Sequence, residues 1–442
     1  MIFNYFSLKN KYYLNGFDWV MGVIDIIMRK TTGAGNASQV VFMLDTPPDE
    51  ALFTASLTRF LALFPILGGT IARHYTLTPY WKFREDGKQP PVVLTVTRIG
   101  EDGSDGSLMD ALSRFINRPF SGNREHLAFH LVYGRGEQCI AMTFDHRLFD
   151  ARGAESFMNM FQEYLSSGED SSVAGGVRTT QKLDLRDWKE KFKAGQVVNR
   201  KMIALSKETI RGIPINYENG FKGFRHRIVC FDKDEAAKIY DRAFAEAGYL
   251  MIMPYLFARV FSTLHPIFVK RGVEGGAYVV PASADVRQAK DIRQELFFNH
   301  NSMFFFQVKQ EDIADNSRLL TVIKEQMYEQ VQSRFPQCLM IASSLIRVAP
   351  LWLMHRVFHL PLQGKIASFC FSHVSKCSYS SHDLMGSRIT NVFHMPRMPV
   401  PPGIGIFFNT FDGRLNATIA WLEGTLSDDE VSYIEEELRG SL

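Results

Sequence analysis

Between 137 and 144, Ile140, Met142 and Phe144 alternate with Cys139, Ala141 and Thr143, the period-two pattern of a strand. That strand stops at His146. From Ala154 the period changes, with Ala154, Phe157, Met158, Phe161, Tyr164 and Leu165 at helical spacing, so Asp150 to Gly153 form a tight strand-to-helix connection. Upstream, Leu57, Phe60, Leu61 and Phe64 follow Asp49 and Glu50 and predict an amphipathic helix ending near Pro65. Strands are predicted at 75–83, 91–97, 126–133 and 137–144, with a helix at 108–116.

From 166 to 223 the composition shifts towards serine, glycine and charge; 166–172 reads as loop and 182–199 as helix. The connection between domains is placed at 181–223, separating 1–180 from 224–442. The second block reuses the kinds of element seen in the first: strand 227–231, helix 233–247, apolar helix 253–265 and strand 277–282. Near its end, 405–410, the Asp412-Gly413 turn and 414–421 predict a hairpin with Leu415, Ala417, Ile419 and Trp421 on one face. A last helix runs over 428–439 behind Ser427 as N-cap.

A chain of 442 residues that is 46% hydrophobic can bury two domains or one pseudo-duplicated unit. Its net charge of +3 is small and dispersed, so no nucleic-acid partner is expected. Five cysteines without a Cys-x-x-Cys pair fit a reducing compartment, and a cytoplasmic location is expected. Asp18 and Asp25 interrupt 16–28, so no signal peptide is read there. Segment 338–360 comes nearest to a membrane span, but Arg347, Pro350, His355, Arg356 and His359 would be costly in hydrocarbon. Its stripe of Leu345, Val348, Leu351, Trp352, His355 and His359 reads first as core around a Pro-bent helix, and second as peripheral membrane contact. Gly33-Ala34-Gly35 does not complete a dinucleotide fingerprint, because Ser38 holds the last glycine position. His126/His130 and His355/His359 have metal-compatible spacing, but one pair lies in a strand-like run and the other lacks a Glu-containing zinc motif, so no metal is expected.

His146 and Asp150 make a His-x-x-x-Asp pair. Among 12 histidines such a pair arises by accident about once, so its place between a strand and a helix is what singles it out. Here the chain resembles the acyltransferase superfamily that includes chloramphenicol acetyltransferase, plant acyl-CoA transferases, peptide-synthetase condensation domains and the wax ester synthase/diacylglycerol acyltransferases. Those proteins carry His-x-x-x-Asp-Gly, and condensation domains add a second histidine in front. In this chain Asp145 stands in front, Ala151 replaces the glycine, and Gly153 follows two residues later. Phe64-Pro65-Ile66-Leu67-Gly68-Gly69 resembles the family's segment after its first helix. Val280-Pro281-Ala282-Ser283-Ala284-Asp285-Val286-Arg287, followed by Asn299-His300-Asn301-Ser302, is similar to its Val-Pro-x-x-x-Arg segment and downstream Gly-Asn, with His300 in place of glycine. Phe371-Ser372-His373-Val374 and then 386–421 resemble its crossover strand and final hairpin, with His373 where relatives often have asparagine.

The resemblance implies an α/β fold of two chloramphenicol-acetyltransferase-like subdomains, each a mixed, largely antiparallel sheet with flanking helices, and a tunnel between them. It implies an acyltransferase in which His146 is the general base and Asp150 holds the loop through Arg287; a surface arginine after a core strand is the competing reading of Arg287. Asn301, Ser372 and His373 are the candidate substrate-binding residues. The implied donor is acyl-CoA or an acyl-carrier phosphopantetheine, with no bound cofactor, a small-molecule hydroxyl or amine acceptor, an acyl-carrier protein as a candidate partner, and a monomeric chain. Two other readings are kept: a non-catalytic condensation-like module that binds an acylated carrier or partner protein, and a lipid-associated scaffold.

Overall fold

The computed structural model describes residues 10–84, 90–100, 106–181, 187–215, 222–375 and 377–442. The strand that leads to His146 is Glu137–Asp145, and every residue after Glu137 is buried. It lies between Ala37–Leu44 and Leu127–Gly134, antiparallel to both, so its ladder is satisfied on both edges. This six-stranded sheet is completed by Val93–Arg98, parallel to Leu127–Gly134, and by Ser387–Pro396 and Asp383–Leu384 beyond Ala37–Leu44. The Ser387–Pro396 strand thus crosses over from the late part of the chain to pair with an early strand.

The second sheet has the order Asn301–Lys309, Ala277–Asp285, Cys370–Val374, Ile404–Phe411, Arg414–Leu422 and Phe224–Phe231, with Ile210–Arg211 also pairing Ala277–Asp285. It is mixed, Cys370–Val374 being parallel to both neighbours. Its hairpin turns at Asp412 and Gly413, both at positive φ, as a two-residue turn matched to strand twist requires. Leu415, Ala417, Ile419 and Trp421 are buried in one cluster with helices Lys233–Ala247, Ile252–Lys270 and Asp428–Ser441. A separate aromatic core under the first sheet is built on Phe60, Phe64, Phe157 and Phe161 from helices Glu50–Ala62 and Ala151–Ser166 and the turn between the first of these and Pro65. The molecule is therefore α/β, with two sheet-based halves. A small third sheet joins Lys11–Tyr13, Pro79–Lys82 and Thr70–Arg73.

Several elements differ from expectation. The strand expected over 75–83 is only Pro79–Lys82, because Tyr75 lies in the turn that reverses the chain from Thr70–Arg73 and is 79% exposed. The helix expected at 182–199 is Trp188–Leu205, and 182–186 lie outside the described residues. Segment 338–360 is split into Phe335–Ile346 and Leu351–Val357 around Arg347 to Pro350. The one helix among the described residues that is long and apolar enough to cross a membrane is instead Ile252–Lys270, most of which packs into the core.

Helix Gly16–Thr32 and strand Ala37–Leu44 were not anticipated. The two aspartates that disguise the helix are buried with partners. Asp18 closes a capping box with Asn15, and Asp25 bonds Arg29 at 2.8 Å and the backbone N–H of Asn36 at 2.9 Å.

Candidate active site

His146 sits one residue beyond its strand, where its backbone N–H donates to Asn36 O at 2.8 Å. Asp145 in front of it is buried and accepts from the backbone N–H of Arg147 (2.9 Å) and from the Arg147 guanidinium, while His126 Nδ1 lies 3.0 Å away. Burial opposes its charge, but Arg147 and His126 outweigh that and hold the carboxyl below the usual range. His126 is thereby a structural residue; its Nε2 meets Gly69 O at 2.9 Å. His130 stacks on Phe115 with ring centres 3.7 Å apart.

Asp150 does not touch the imidazole. It is the N-cap of helix Ala151–Ser166 and is fully buried; Oδ1 accepts from the Gly153 N–H at 2.9 Å and from Arg287 at 2.5 Å, and Oδ2 accepts from the His300 N–H at 3.0 Å. Burial raises this carboxyl and Arg287 with His300 lowers it, leaving it below its ordinary value. The Arg287 side chain is only 7% exposed, at the end of strand Ala277–Asp285, so it is no free surface arginine.

The position that requires glycine is 153. A Cβ there would lie 2.4 Å from Leu296 O, whereas Ala151 heads the helix on the wall of a cavity. Gly153→Ala is therefore expected to cost about 1–3 kcal/mol by overpacking, read as a lowered melting temperature, while Ala151→Gly folds normally. Equal melting temperatures for Gly153→Ala and the parent chain would contradict this.

One segment of the second half buttresses the loop. Phe298 N–H donates to Leu148 O (2.6 Å), Asn299 Nδ2 to His146 O (2.8 Å), and His300 N–H to Asp150. Because Asn299 Nδ2 is committed to a carbonyl, its Oδ1 is the atom 3.2 Å from His146 Nδ1, and an amide oxygen only accepts. The imidazole therefore carries its proton on Nδ1, and Nε2 keeps the basic lone pair. Among the described residues Nε2 has no protein partner.

Asn299 is held in turn by Asp18, whose Oδ1 accepts its backbone N–H at 2.9 Å. Burial pushes the Asp18 carboxyl up to about 7 against the opposing N–H groups of Asn299 and Asn15. The folded chain then binds this proton more tightly than the unfolded one, so its contribution is full below the ordinary value near ~3.9 and is lost as pH rises through about 7. The melting temperature of the parent chain relative to Asp18→Asn is expected to fall between about pH 4 and about pH 8. Parallel profiles would exclude that titration.

His146 lines a cavity of about 320 Å³ whose walls come from both halves. Asn301, Ser372 and His373 also line it; Asp150 and Arg287 lie behind the loop and do not. Ser283 and Ser372 bond each other at 2.8 Å on that wall. Burial pushes the His373 imidazole down to about 4, so it is neutral. The apolar lining includes Phe17, Met21 and Ile24 from the unanticipated helix, and Met398 and Phe407. His394, on the crossover strand, also lines the cavity and lies 2.7 Å from the buried Glu155. The sequence places Asn299 only within a matched segment and Asp18 only as an interruption of 16–28, and assigns no role in the site to either or to the Glu155–His394 pair. A polar residue closing the apolar run Leu296-Phe297-Phe298 was the available signal for Asn299.

No family model matches the chain, and no curated protein matches it by sequence. Its structure is nevertheless similar to a trichothecene 15-O-acetyltransferase from Fusarium sporotrichioides, with a TM-score of 0.68 at 13% identity over 97% of this chain and 94% of that one. It is equally similar to the first condensation domain of the CDA synthetase, with a TM-score of 0.68 at 12% identity over 98% and 95% of the two chains. The chain thus shares its fold with this acetyltransferase and this condensation domain. The epimerization domain from the third module of tyrocidine synthetase B also matches, with a TM-score of 0.59 at 10% identity over 98% and 96%. One scaffold thus carries more than one chemistry, and function has to be argued from the cavity.

Proposed function

We propose that this chain is an acyltransferase that moves an acyl group from a thioester to a hydroxyl or amine acceptor, with His146 as general base. The observation that carries the reading is a half-buried imidazole on a cavity wall, its Nδ1 turned to Asn299 and its Nε2 without a hydrogen-bond partner among the described residues. Nε2 removes the proton as the acceptor oxygen or nitrogen attacks the thioester carbonyl. The tetrahedral adduct then expels the thiolate, which takes that proton back from Nε2, leaving an ester or amide and a free thiol.

Acyl-CoA is the proposed donor, an acyl-carrier phosphopantetheine the variant of it, and the apolar lining favours a hydrophobic acyl chain or acceptor. Asn301, Ser372 and His373 are the substrate-facing residues of this reading, and Asp150 and Arg287 its positioning residues. Incubation with a panel of acyl-CoAs tests it: acceptor-dependent release of thiol is expected. Ala151, on the cavity wall where the resembled family has glycine, favours the second reading, a condensation-like module that binds acyl thioesters. That reading requires saturable binding of the same panel with no thiol released.

A further inference from the structure

Helix Phe335–Ile346 is turned inside out relative to an ordinary surface helix. Beyond its first two residues, Phe335 and Pro336, which are buried, Ser343 and Ser344 are buried while Leu339, Met340, Ile341, Leu345 and Ile346 are only half-buried. The cause is local. A Cβ on Gly16 would lie 2.1 Å from the Ser343 carbonyl carbon, so this helix meets Gly16–Thr32 at backbone distance, and only small residues fit between them. Its larger side chains are displaced outward. Helix Leu351–Val357 follows without a single buried residue; Trp352 is 61% exposed and Leu360, just beyond, 63%. Trp188–Leu205, packed along Phe335–Ile346, adds Trp188 at 63% and Phe192 at 61%.

Charge says what covers this face. From Gln330 to Lys365 the chain contains no aspartate or glutamate; of its cations Arg334 and Arg356 are exposed and Lys365 half-buried, while Arg347 is buried and bonds Leu14 O. Trp188–Leu205 exposes Lys189, Lys193 and Arg200 against Glu190 alone, its Lys191 being buried and its Lys201 turned to Glu329. Exposed tryptophan and aliphatic side chains interleaved with cations, and almost free of anions, match the interface of an anionic bilayer, where rings sit at headgroup depth and cations meet lipid phosphates.

We propose that helices Phe335–Ile346 and Leu351–Val357, with the neighbouring Trp188–Leu205, dock this protein peripherally on an anionic lipid surface. The face lies on the back of helix Gly16–Thr32, whose Phe17, Met21 and Ile24 line the cavity. Docking would thus set the cavity beside a reservoir of apolar molecules. The proposal holds whether or not His146 transfers acyl groups.

Co-sedimentation of the full chain with vesicles of phosphatidylcholine alone, and of phosphatidylcholine mixed with phosphatidylserine, tests it. Binding to the mixed vesicles, weakened by added salt, is expected. Two exposed-residue variants, Trp352→Ser with Leu360→Ser and Lys193→Glu with Arg356→Glu, should each bind roughly tenfold more weakly or worse, at unchanged melting temperature. Absence of binding to either vesicle overturns the proposal, since a protein partner would then be left as the occupant. So does equal binding by both variants, or a self-associating chain that the Trp352 and Leu360 substitutions make monomeric, which would assign the face to a second copy.

Discussion

His146→Ala is expected to lower acyl transfer by roughly 10²–10⁴-fold, the usual contribution of a positioned general base, with the fold intact. The ring is only half-buried, and two of the three hydrogen bonds between residue 146 and Asn36 or Asn299 run through its backbone, so only the Nδ1 bond to Asn299 Oδ1 is lost on substitution. The loss should fall on turnover and leave donor binding in place, because the cavity wall is otherwise unchanged. Transfer undiminished in this variant would remove His146 from the chemistry.

Arg287→Ala is expected to destabilise the chain by about 3 kcal/mol or more, the cost of stranding a buried charge once its partner is removed. Asp150 would keep only the N–H groups of Gly153 and His300 while remaining fully buried. Activity should fall with stability, since the same aspartate caps the helix that follows the motif and shares its loop with His146. The effect has a pH signature. Asp150 is held below its ordinary value, so its contribution is present above about 3.9 and is lost as pH falls through the folded-state value. The gap in melting temperature between the parent chain and Arg287→Ala should therefore narrow in acid. Full activity with an unchanged melting temperature would rule out the positioning role.

What was legible in the sequence is what neighbours in the chain decide. The Asp412-Gly413 hairpin, the helix behind Ser427 and the helix Lys233–Ala247 with its capping box on Asp232 each combine a periodic pattern with a local stop signal. The strand, loop and helix around His146 were readable for the same reason. What was hidden depends on distant partners. Asp18 and Asp25 look like interruptions until Asn15, Arg29 and Asn36 are seen to satisfy them. Asn299 orients a ring 153 positions earlier, and the crossover of Ser387–Pro396 onto Ala37–Leu44 leaves no local trace beyond a strand-like run. Helix Phe335–Ile346 misleads in another way, since backbone approach at Gly16 reverses the usual rule for which face turns inward.

The most direct measurement is a crystal structure of the chain soaked with a non-hydrolysable acyl-CoA analogue. The pantetheine is expected inside the cavity between the halves, with the acyl carbonyl beside His146 Nε2 and Nδ1 still on Asn299. A ligand seated elsewhere, with the Nε2 face of the imidazole closed off from it, would contradict the assignment of His146 as base.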